Sequence, residues 1–334
     1  MVSIKTVEKS NARVASLPQG LVALFISATS GIGQSTLQHF AHHAPSPRIY
    51  TVARPGSAAS HEDFLTSLRQ SDLGGTYKLI TADTSLVSEV DRVVEAVRRD
   101  ETKLDILFLS AGFMPFEGRH DTREGLDPSM STRYYSRLRA VEGLLPLLNS
   151  PGARSPRVVS VLAGGLEGPL RAADLDLRAP GAWSSWAASV HAGTMGTLAL
   201  ERLARENPRL GVFHWFPGPV DTPGLARAQR FGMSAPQNPM SLWESGARGL
   251  FLATSDRYAG QVGAEGLVPP PGGLPPVRKS GGDVFLVDPL GDSADSEKVL
   301  AEMRQLGVDQ TIWEHTQKIF DACSSQASLS KDEL

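Results

Sequence analysis

The stretch that most constrains this chain is residues 21–33, which read LVALFISATSGIG. An apolar run over residues 21–26 is followed by small residues and two glycines, Gly31 and Gly33, and then by apolar residues at helical spacing. This order predicts a buried strand, a tight turn and a helix. The free N–H groups and the dipole at the N-terminus of such a helix favour a bound phosphate. The stretch therefore indicates the opening of a dinucleotide-binding α/β fold, with an ordinary glycine-rich turn as the alternative.

Strands and helices alternate along the rest of the chain. Further strands are predicted at 48–53, 77–82, 104–109, 157–161, 211–216 and 284–287. The helices after the first are predicted at 62–70, 87–99, 122–148, 183–205, 240–254, 296–306 and 310–320. Because such alternation places helices on both faces of one sheet, the pattern predicts a single Rossmann-type α/β domain with a doubly wound parallel sheet and a C-terminal helical extension.

The limits of the domain are expected where the composition changes. Residues 1–20 are polar and predict an N-terminal arm or short helix ahead of a domain that spans 21–320. Residues 223–240 are rich in Pro, Gly and Met and are expected to form a lid within that domain. Residues 321–334 are expected to form a polar tail that ends in the ER-retention spelling Lys331-Asp332-Glu333-Leu334. Because we recognise no signal peptide, we expect a cytoplasmic protein whose tail happens to have this spelling.

Charge and cysteine content narrow the class of partner. The 334 residues carry a formal net charge of −3, which gives no indication of nucleic acid or an anionic membrane as a partner. Cys323 is the single cysteine, which leaves no internal disulfide and fits a reducing compartment. We find no apolar run of membrane-spanning length and assign no metal site. A small molecule is therefore the expected partner.

The turn over residues 26–33 resembles the TGxxxGxG motif of the short-chain dehydrogenase/reductase family. Gly31 and Gly33 match the last two glycines of the motif, whereas Ile26 and Ser27 replace its Thr and its first Gly. At Ser27 a side chain stands where glycine normally relieves backbone strain. Ser27 either weakens cofactor affinity or bonds a phosphate through its hydroxyl, and the sequence leaves both alternatives open.

The resemblance also implies which residues hold the cofactor. Arg54 follows the second strand, where an acidic residue would bind the ribose of NAD and an arginine suits the 2′-phosphate of NADP. NADP is therefore expected, with a solvated loop arginine as the alternative. Asp83 matches the family's acidic residue near the adenine, and residues 217–222 match its Pro-Gly-x-Val-x-Thr stretch. The expected cofactor-binding residues are Ser27, Ser30, Gly31, Ile32, Gly33, Arg54, Asp83, Ser110, Ala111, Gly112, Pro217, Gly218, Val220 and Thr222.

The proton-transferring residues of the family are all replaced. The positions of its Tyr, Lys, Ser and Asn hold His191, Met195, Ala163 and Arg133. A histidine titrates near pKa about 6.5 and needs no neighbouring cation, unlike a tyrosine with pKa about 10. His191 is therefore expected to be the catalytic acid, with a hydrogen-bonded structural histidine as the alternative. Arg133 is expected to orient a carboxylate or enolate, and the adjacent Tyr134 to face the pocket.

Two further polar residues lie near these positions. His214 falls within a predicted strand and is expected to be buried and hydrogen-bonded. Glu167 follows the glycine-rich segment after the fifth strand and is a weaker candidate for a base.

The resemblance is narrower than the family as a whole. Several phrases are similar to a subgroup from filamentous fungi whose members are often encoded with polyketide or terpenoid pathways: RYYSR at 133–137, VSVLAGG at 159–165 and WEHT at 313–316. This similarity implies an apolar secondary metabolite as the substrate. Family habit also implies a homodimer or a homotetramer formed through the helices that carry Arg133 and His191.

Three functions are compatible with these residues. The first is an NADP-dependent oxidoreductase in which His191 replaces the usual tyrosine acid. The second is a non-redox cyclase, isomerase or dehydratase on the same scaffold, and the third is a catalytically silent binding protein. We favour the first, because the four expected cofactor contacts that it explains occur together: Arg54, Asp83, Gly218 and Thr222.

Overall fold

Seven parallel strands form one sheet in the order β3-β2-β1-β4-β5-β6-β7. The structure is a computed structural model that describes residues 1–71, 74–259, 267–269 and 271–332. The strands are β1 (Val22–Ile26), β2 (Arg48–Ala53), β3 (Thr76–Thr81), β4 (Ile106–Leu109), β5 (Arg157–Val161), β6 (Gly211–Trp215) and β7 (Phe285–Val287). The predicted Rossmann-type sheet is confirmed.

Helices cover both faces of the sheet. They are α1 (Ile4–Asn11), α2 (Gly31–His43), α3 (Pro55–Ser71), α4 (Val87–Asp100), α5 (Pro128–Met130), α6 (Ser136–Leu148), α7 (Ser185–Glu206), α8 (Pro223–Arg230), α9 (Leu242–Thr254), α10 (Glu297–Gln305) and α11 (Val308–Asp332). A π-helical turn, Ser131–Tyr135, joins α5 to α6. Short 3₁₀ helices cover Ala12–Ser16 and Asp256–Tyr258.

The sheet divides the apolar core into two clusters. One cluster packs α4, α6 and α7 on one face, and the other packs α1, α2 and α9 on the opposite face. Every residue of β1, β4 and β5 is buried, as expected for central parallel strands covered on both sides. The carboxyl ends of these strands therefore meet at one edge, where a ligand binds in folds of this kind.

Two helices begin at different residues than the sequence pattern predicts. The helix predicted at 62–70 starts at Pro55, because a proline is well tolerated at the first position of a helix. The helix predicted at 122–148 starts at Pro128, because the side chain of Asp127 accepts hydrogen bonds from the amides of Ser129 and Met130 and caps its N-terminus.

Both ends of the described chain pack against the domain. Val2, Val7 and Val14 have no exposed surface, and the Asn11 amide donates a 2.8 Å hydrogen bond to the carbonyl of Ala247 in α9. Several side chains of residues 1–20 therefore lie in the core, and the segment packs against α9. The boundary predicted after residue 320 lies inside α11, which continues to Asp332.

Helix α11 covers part of the surface on which a homodimer is expected. Gln317 donates a 2.8 Å hydrogen bond to Glu142 of α6, and the guanidinium of Arg202 in α7 lies 4.6 Å from the ring centre of Trp313. The homodimer stays a prediction, and these positions on α6 and α7 are occupied by the chain's own C-terminal helix. Glu333 and Leu334, the last two residues of the ER-retention spelling, lie outside the described residues.

None of the helices within the described residues combines sufficient length with sufficient apolar character to cross a bilayer.

Phe320 tests whether α11 belongs to the core. Its side chain is 1% exposed, and we expect Phe320→Ala to lower the free energy of unfolding in urea by about 3–5 kcal/mol, because it leaves a cavity. Lys318→Ala removes an exposed side chain from the same helix and should change stability by less than about 0.5 kcal/mol. Equal effects of the two substitutions would show that α11 is not packed as described.

Candidate functional site

The turn after β1 is closed by contacts between two neighbouring strand ends. The Ser110 hydroxyl, just after β4, donates a 2.6 Å hydrogen bond to the carbonyl of Ser27. A Cβ atom at Gly33 would overlap both groups, so only glycine fits there. Ser27 itself has φ +72°, a conformation that costs a non-glycine residue on the order of 1–3 kcal/mol. The replacement of the family's first glycine therefore falls on a position that favours glycine.

The N-terminus of α2 is available to an anion. Within the described chain, the N-cap residue Ser30 makes no side-chain hydrogen bond to the helix, and the first turn contains no acidic residue. Its unpaired N–H groups and dipole therefore favour negative charge. Gly31 has φ +62°, and its missing Cβ would lie 3.7 Å from a methyl carbon of Thr222, so the loop after β6 reaches this turn.

A cleft of about 410 Å³ lies along this edge of the sheet. Six expected cofactor residues line it: Ser27, Ser30, Arg54, Asp83, Ala111 and Gly112. The remaining expected cofactor residues are not in its lining. Gly33 and Ser110 fix the first turn, Ile32 packs against the core, and residues 217–222 form the loop that meets Gly31. That loop comprises four expected positions: Pro217, Gly218, Val220 and Thr222.

Helix α8, the first part of the predicted lid, lies over the cleft. The rings of Phe231 and Phe116 stack with centroids 4.8 Å apart. The Arg227 guanidinium lies 3.7 Å from the Glu117 carboxylate, and both residues line the cleft. Helix α8 and Phe231 are therefore held against residues 116–117, which follow the end of β4.

His191 does not lie where the resemblance implies. Its Nδ1–H donates to the carbonyl of Leu175 at 3.1 Å, and its Nε2 accepts from the backbone amide of Arg171 at 3.2 Å. The side chain is 2% exposed, and burial lowers its pKa below the usual value. Because both ring nitrogens bond the backbone, the imidazole is neutral and fixes the loop between β5 and α7. This geometry corresponds to the structural alternative and leaves no nitrogen free for a substrate.

Tyr134 is also turned away from the cleft. Its hydroxyl lies 2.6 Å from the Thr316 hydroxyl of α11, and burial raises the pKa of the phenol above its usual value. Tyr135 donates a 2.5 Å hydrogen bond to Asp176. Both phenols therefore join helices and loops, and the expectation that Tyr134 faces the pocket does not fit the structure.

Arg133 reaches the α7 end of the site. Its Nη1 donates a 2.9 Å hydrogen bond to the hydroxyl of Ser189, which is half-buried and also contacts Met114. Its aliphatic stem packs so closely on Gly112 that a Cβ there would lie 3.0 Å from Arg133 Cγ. Burial lowers the pKa of Arg133 to about 10, so the guanidinium remains charged near neutral pH.

Two residues of this region, Ser189 and Arg137, are not among the site residues that the sequence predicts. Ser189 faces Arg133, and Arg137 donates from its Nη1 to the Ser160 hydroxyl at 2.8 Å and to the Val161 carbonyl at 2.9 Å. The spacing of the two arginines could have indicated Arg137, because residues four apart lie on the same face of a helix. Arg137 follows Arg133 at this spacing.

A buried chain of hydrogen bonds holds the loop after β5. His214 Nε2 accepts from the Ala163 amide at 3.0 Å, and its Nδ1–H donates to Thr197. Thr197 donates to Glu167, which also accepts from the Gly165 amide at 2.9 Å. Burial, with the nearby charge of Arg137, lowers the pKa of His214 to about 3. The expectation that His214 is buried and hydrogen-bonded is confirmed, and the Glu167 carboxylate serves the same network.

Comparisons with known proteins give the same class as the fold. No protein-family model matches the sequence. The NmrA-like family domain-containing oxidoreductase notO of Aspergillus sp. (strain MF297-2) is 61% identical over 336 residues, with 100% of both chains covered. The short-chain dehydrogenase/reductase SAT2 of Stachybotrys chartarum is 29% identical, with 93% of this chain and 95% of that protein covered.

A solved short-chain dehydrogenase from Burkholderia cenocepacia, in complex with NADP, has a TM-score of 0.54 at 24% identity. The alignment covers 73% of this chain and 94% of that one. The sheet and the turn after β1 define a Rossmann-type protein. The relative at 61% identity shows that the chain belongs to a family of oxidoreductases, and SAT2 supports the short-chain dehydrogenase/reductase family that the sequence resembles.

The structural role of His191 can be measured directly. We expect His191→Leu to lower the free energy of unfolding at pH 7.5 by about 1–3 kcal/mol, because the Leu175 carbonyl and the Arg171 amide lose their partners. The folded-state pKa lies below the unfolded value, so this contribution is present above about pH 6.5 and is lost as pH falls.

His42→Leu, at an exposed histidine of α2, is the matched control and should leave stability within about 0.5 kcal/mol. Urea unfolding at several pH values provides the measurement. A His191→Leu protein with wild-type stability but no oxidoreductase turnover would return the catalytic role to the imidazole.

Proposed function

We propose that the protein is an NADP-dependent oxidoreductase that acts on an apolar small molecule. The observation that carries this proposal is the cleft in which the uncapped N-terminus of α2 and the exposed Arg54 line one continuous surface. A helix N-terminus suits a pyrophosphate, and an arginine after β2 suits a 2′-phosphate. The Burkholderia cenocepacia neighbour, solved in complex with NADP, supports the same assignment.

The residues present fit this cofactor. Gly33 leaves room for the turn to approach a phosphate group, and the N-terminus of α2 lies at the cleft. Asp83 lies in the cleft beside residues 84–85, where the resemblance implies the adenine. When bound, NADP would supply or accept the hydride. The protein then has to bind, orient and shield the substrate.

Exposed apolar side chains after β5 and β6 support an apolar substrate. Four large apolar residues that follow β5 or β6 in the chain are exposed: Leu166, Trp186, Phe231 and Met233. Their side chains are 54%, 77%, 48% and 42% exposed. Contiguous exposed apolar surface is typical of ligand-binding sites, and these four side chains are the ones that would provide it here. We therefore propose that an apolar secondary metabolite binds between the lid and the start of α7.

Arg133 and Ser189 are proposed to face the substrate oxygen in place of His191. The Ser189 hydroxyl is half-buried and receives a hydrogen bond from Arg133, so the positive charge lies directly behind it. The Ser189 hydroxyl donates to the Ser185 carbonyl at 2.7 Å and has to turn from it to reach a substrate. A donor backed by a positive charge then stabilises negative charge that develops on an oxygen during hydride transfer. His191 would then act by holding the loop over residues 171–175.

A second candidate function is a catalytically silent or non-redox protein on this scaffold. It is favoured by one observation: the ring nitrogens of His191 and the hydroxyl of Tyr134 are bonded within the protein. Binding without turnover leaves the NADPH absorbance unchanged in the presence of any metabolite, whereas an oxidoreductase consumes NADPH when a suitable acceptor is added.

Arg54 provides the sharpest test of cofactor choice. We expect Arg54→Ala to weaken NADPH binding about 10–100-fold, because charge-assisted hydrogen bonds to a phosphate are lost, and to leave NADH binding within about twofold. Isothermal titration of both nucleotides measures the effect. Arg98→Ala, which removes an exposed arginine from the far end of α4, is the control. Equal losses for NADPH and NADH would contradict a 2′-phosphate contact.

A further inference from the structure

Two buried arginines lie side by side beneath the candidate site. Arg133 is 4% exposed and Arg137 is 6% exposed, and they are four residues apart along the π-helical turn and α6. Burial lowers the pKa of Arg133 to about 10 and of Arg137 to about 9, so both remain cations at neutral pH. Two unscreened positive charges in the interior repel each other and are costly to bury.

Neither cation has a carboxylate partner among the residues that the structure describes. Arg133 donates to the Ser129 carbonyl and the Ser189 hydroxyl, which are neutral oxygens. Asp127 is the acid whose charge acts on Arg133, and its Oδ1 is already bonded to the N-terminal amides of α5.

Arg137 is surrounded in the same way. It donates to the Ser160 hydroxyl and to the carbonyls of Val161 and Ala111, which are again neutral. One nitrogen of each arginine, Nη2 of Arg133 and Nε of Arg137, has no hydrogen-bond partner in the described structure. Buried charged donors left unpaired in this way indicate a missing ligand.

A small cavity borders both side chains. Its volume is about 20 Å³, and Arg133, Arg137, Ser160 and His214 line it, while the rest of its lining is mostly leucine side chains. A space of this size holds a single atom such as a water oxygen or a halide ion. His214 is neutral, because its Nε2 accepts from the Ala163 amide. Among the described residues, the lining therefore includes two positively charged side chains and no acid, and most of its surface is apolar.

We propose that Arg133 and Arg137 form a binding site for one negatively charged atom. This atom is either a halide ion from solution or the anionic oxygen of a bound carboxylate or enolate ligand. A single negative charge would satisfy the two unpaired nitrogens and reduce the repulsion between the guanidinium groups. The cavity and the nucleotide cleft share no lining residue, but Arg133 also supports Ser189 in the proposed function, so nucleotide binding is tested separately.

A crystal grown in sodium bromide tests the site in the wild-type protein. The proposal expects a bromide anomalous peak within hydrogen-bonding reach of Arg133 and Arg137. It also expects sodium chloride to raise the melting temperature above that in sodium gluconate of equal ionic strength. Arg137→Met should weaken this halide dependence at least tenfold. Arg139→Met, which removes the neighbouring arginine that pairs with Asp91, should keep it.

Benzoate and its neutral analogue benzamide distinguish the two sources of the anion. Benzoate that displaces the bromide peak and stabilises the protein, where benzamide does neither, identifies a ligand oxygen as the anion. A bromide peak that benzoate leaves unchanged identifies a resident halide. A cavity that contains only water, with no difference between chloride and gluconate or between benzoate and benzamide, would overturn the proposal. NADPH titration of the same samples reports separately on the proposed function.

Discussion

The closed turn between β1 and α2 is the constraint on which the rest of the structure depends. The hydrogen bond from Ser110 to the Ser27 carbonyl joins the ends of β1 and β4, and the absence of a side chain at Gly33 lets α2 start directly against this bond. Helix α9 then packs closely on α2, because a Cβ at Gly246 or Gly249 would overlap the side chains on that helix. The N-terminal half of α2 is thereby fixed, with its N-terminus directed to the cleft.

Several polar side chains that the sequence offered as candidates for proton transfer serve structural tasks instead. His191 binds the backbone of the loop after β5, His214 and Glu167 bind its glycine-rich start, and Tyr134 binds α11. A buried group that already satisfies its hydrogen bonds is a poor proton donor, because any transfer leaves an unpaired polar atom behind. In the proposed function, a nucleotide cleft beside side chains used for packing suits a substrate that needs the hydride more than an acid.

The fold was predictable from the sequence because its signals are local. Apolar runs gave the strands, and Gly31 and Gly33 gave the turn. The role of His191 was not predictable, because residues two apart on a helix point about 200° away from each other. Only the packing of α7 decides that Ser189, and not His191, meets Arg133. The length of α11 was missed for a related reason, since its polar sequence is held by tertiary contacts rather than by helix propensity.

The proposed function requires that the cleft binds NADP although the family's proton-transferring groups are replaced in this chain. Titration of the wild-type protein with NADPH and NADH, followed by the fluorescence of the nicotinamide, tests this claim most directly. The account predicts saturable binding of NADPH at least about tenfold tighter than that of NADH, because only NADPH carries the charge that Arg54 can bind. Failure of both nucleotides to bind would contradict it.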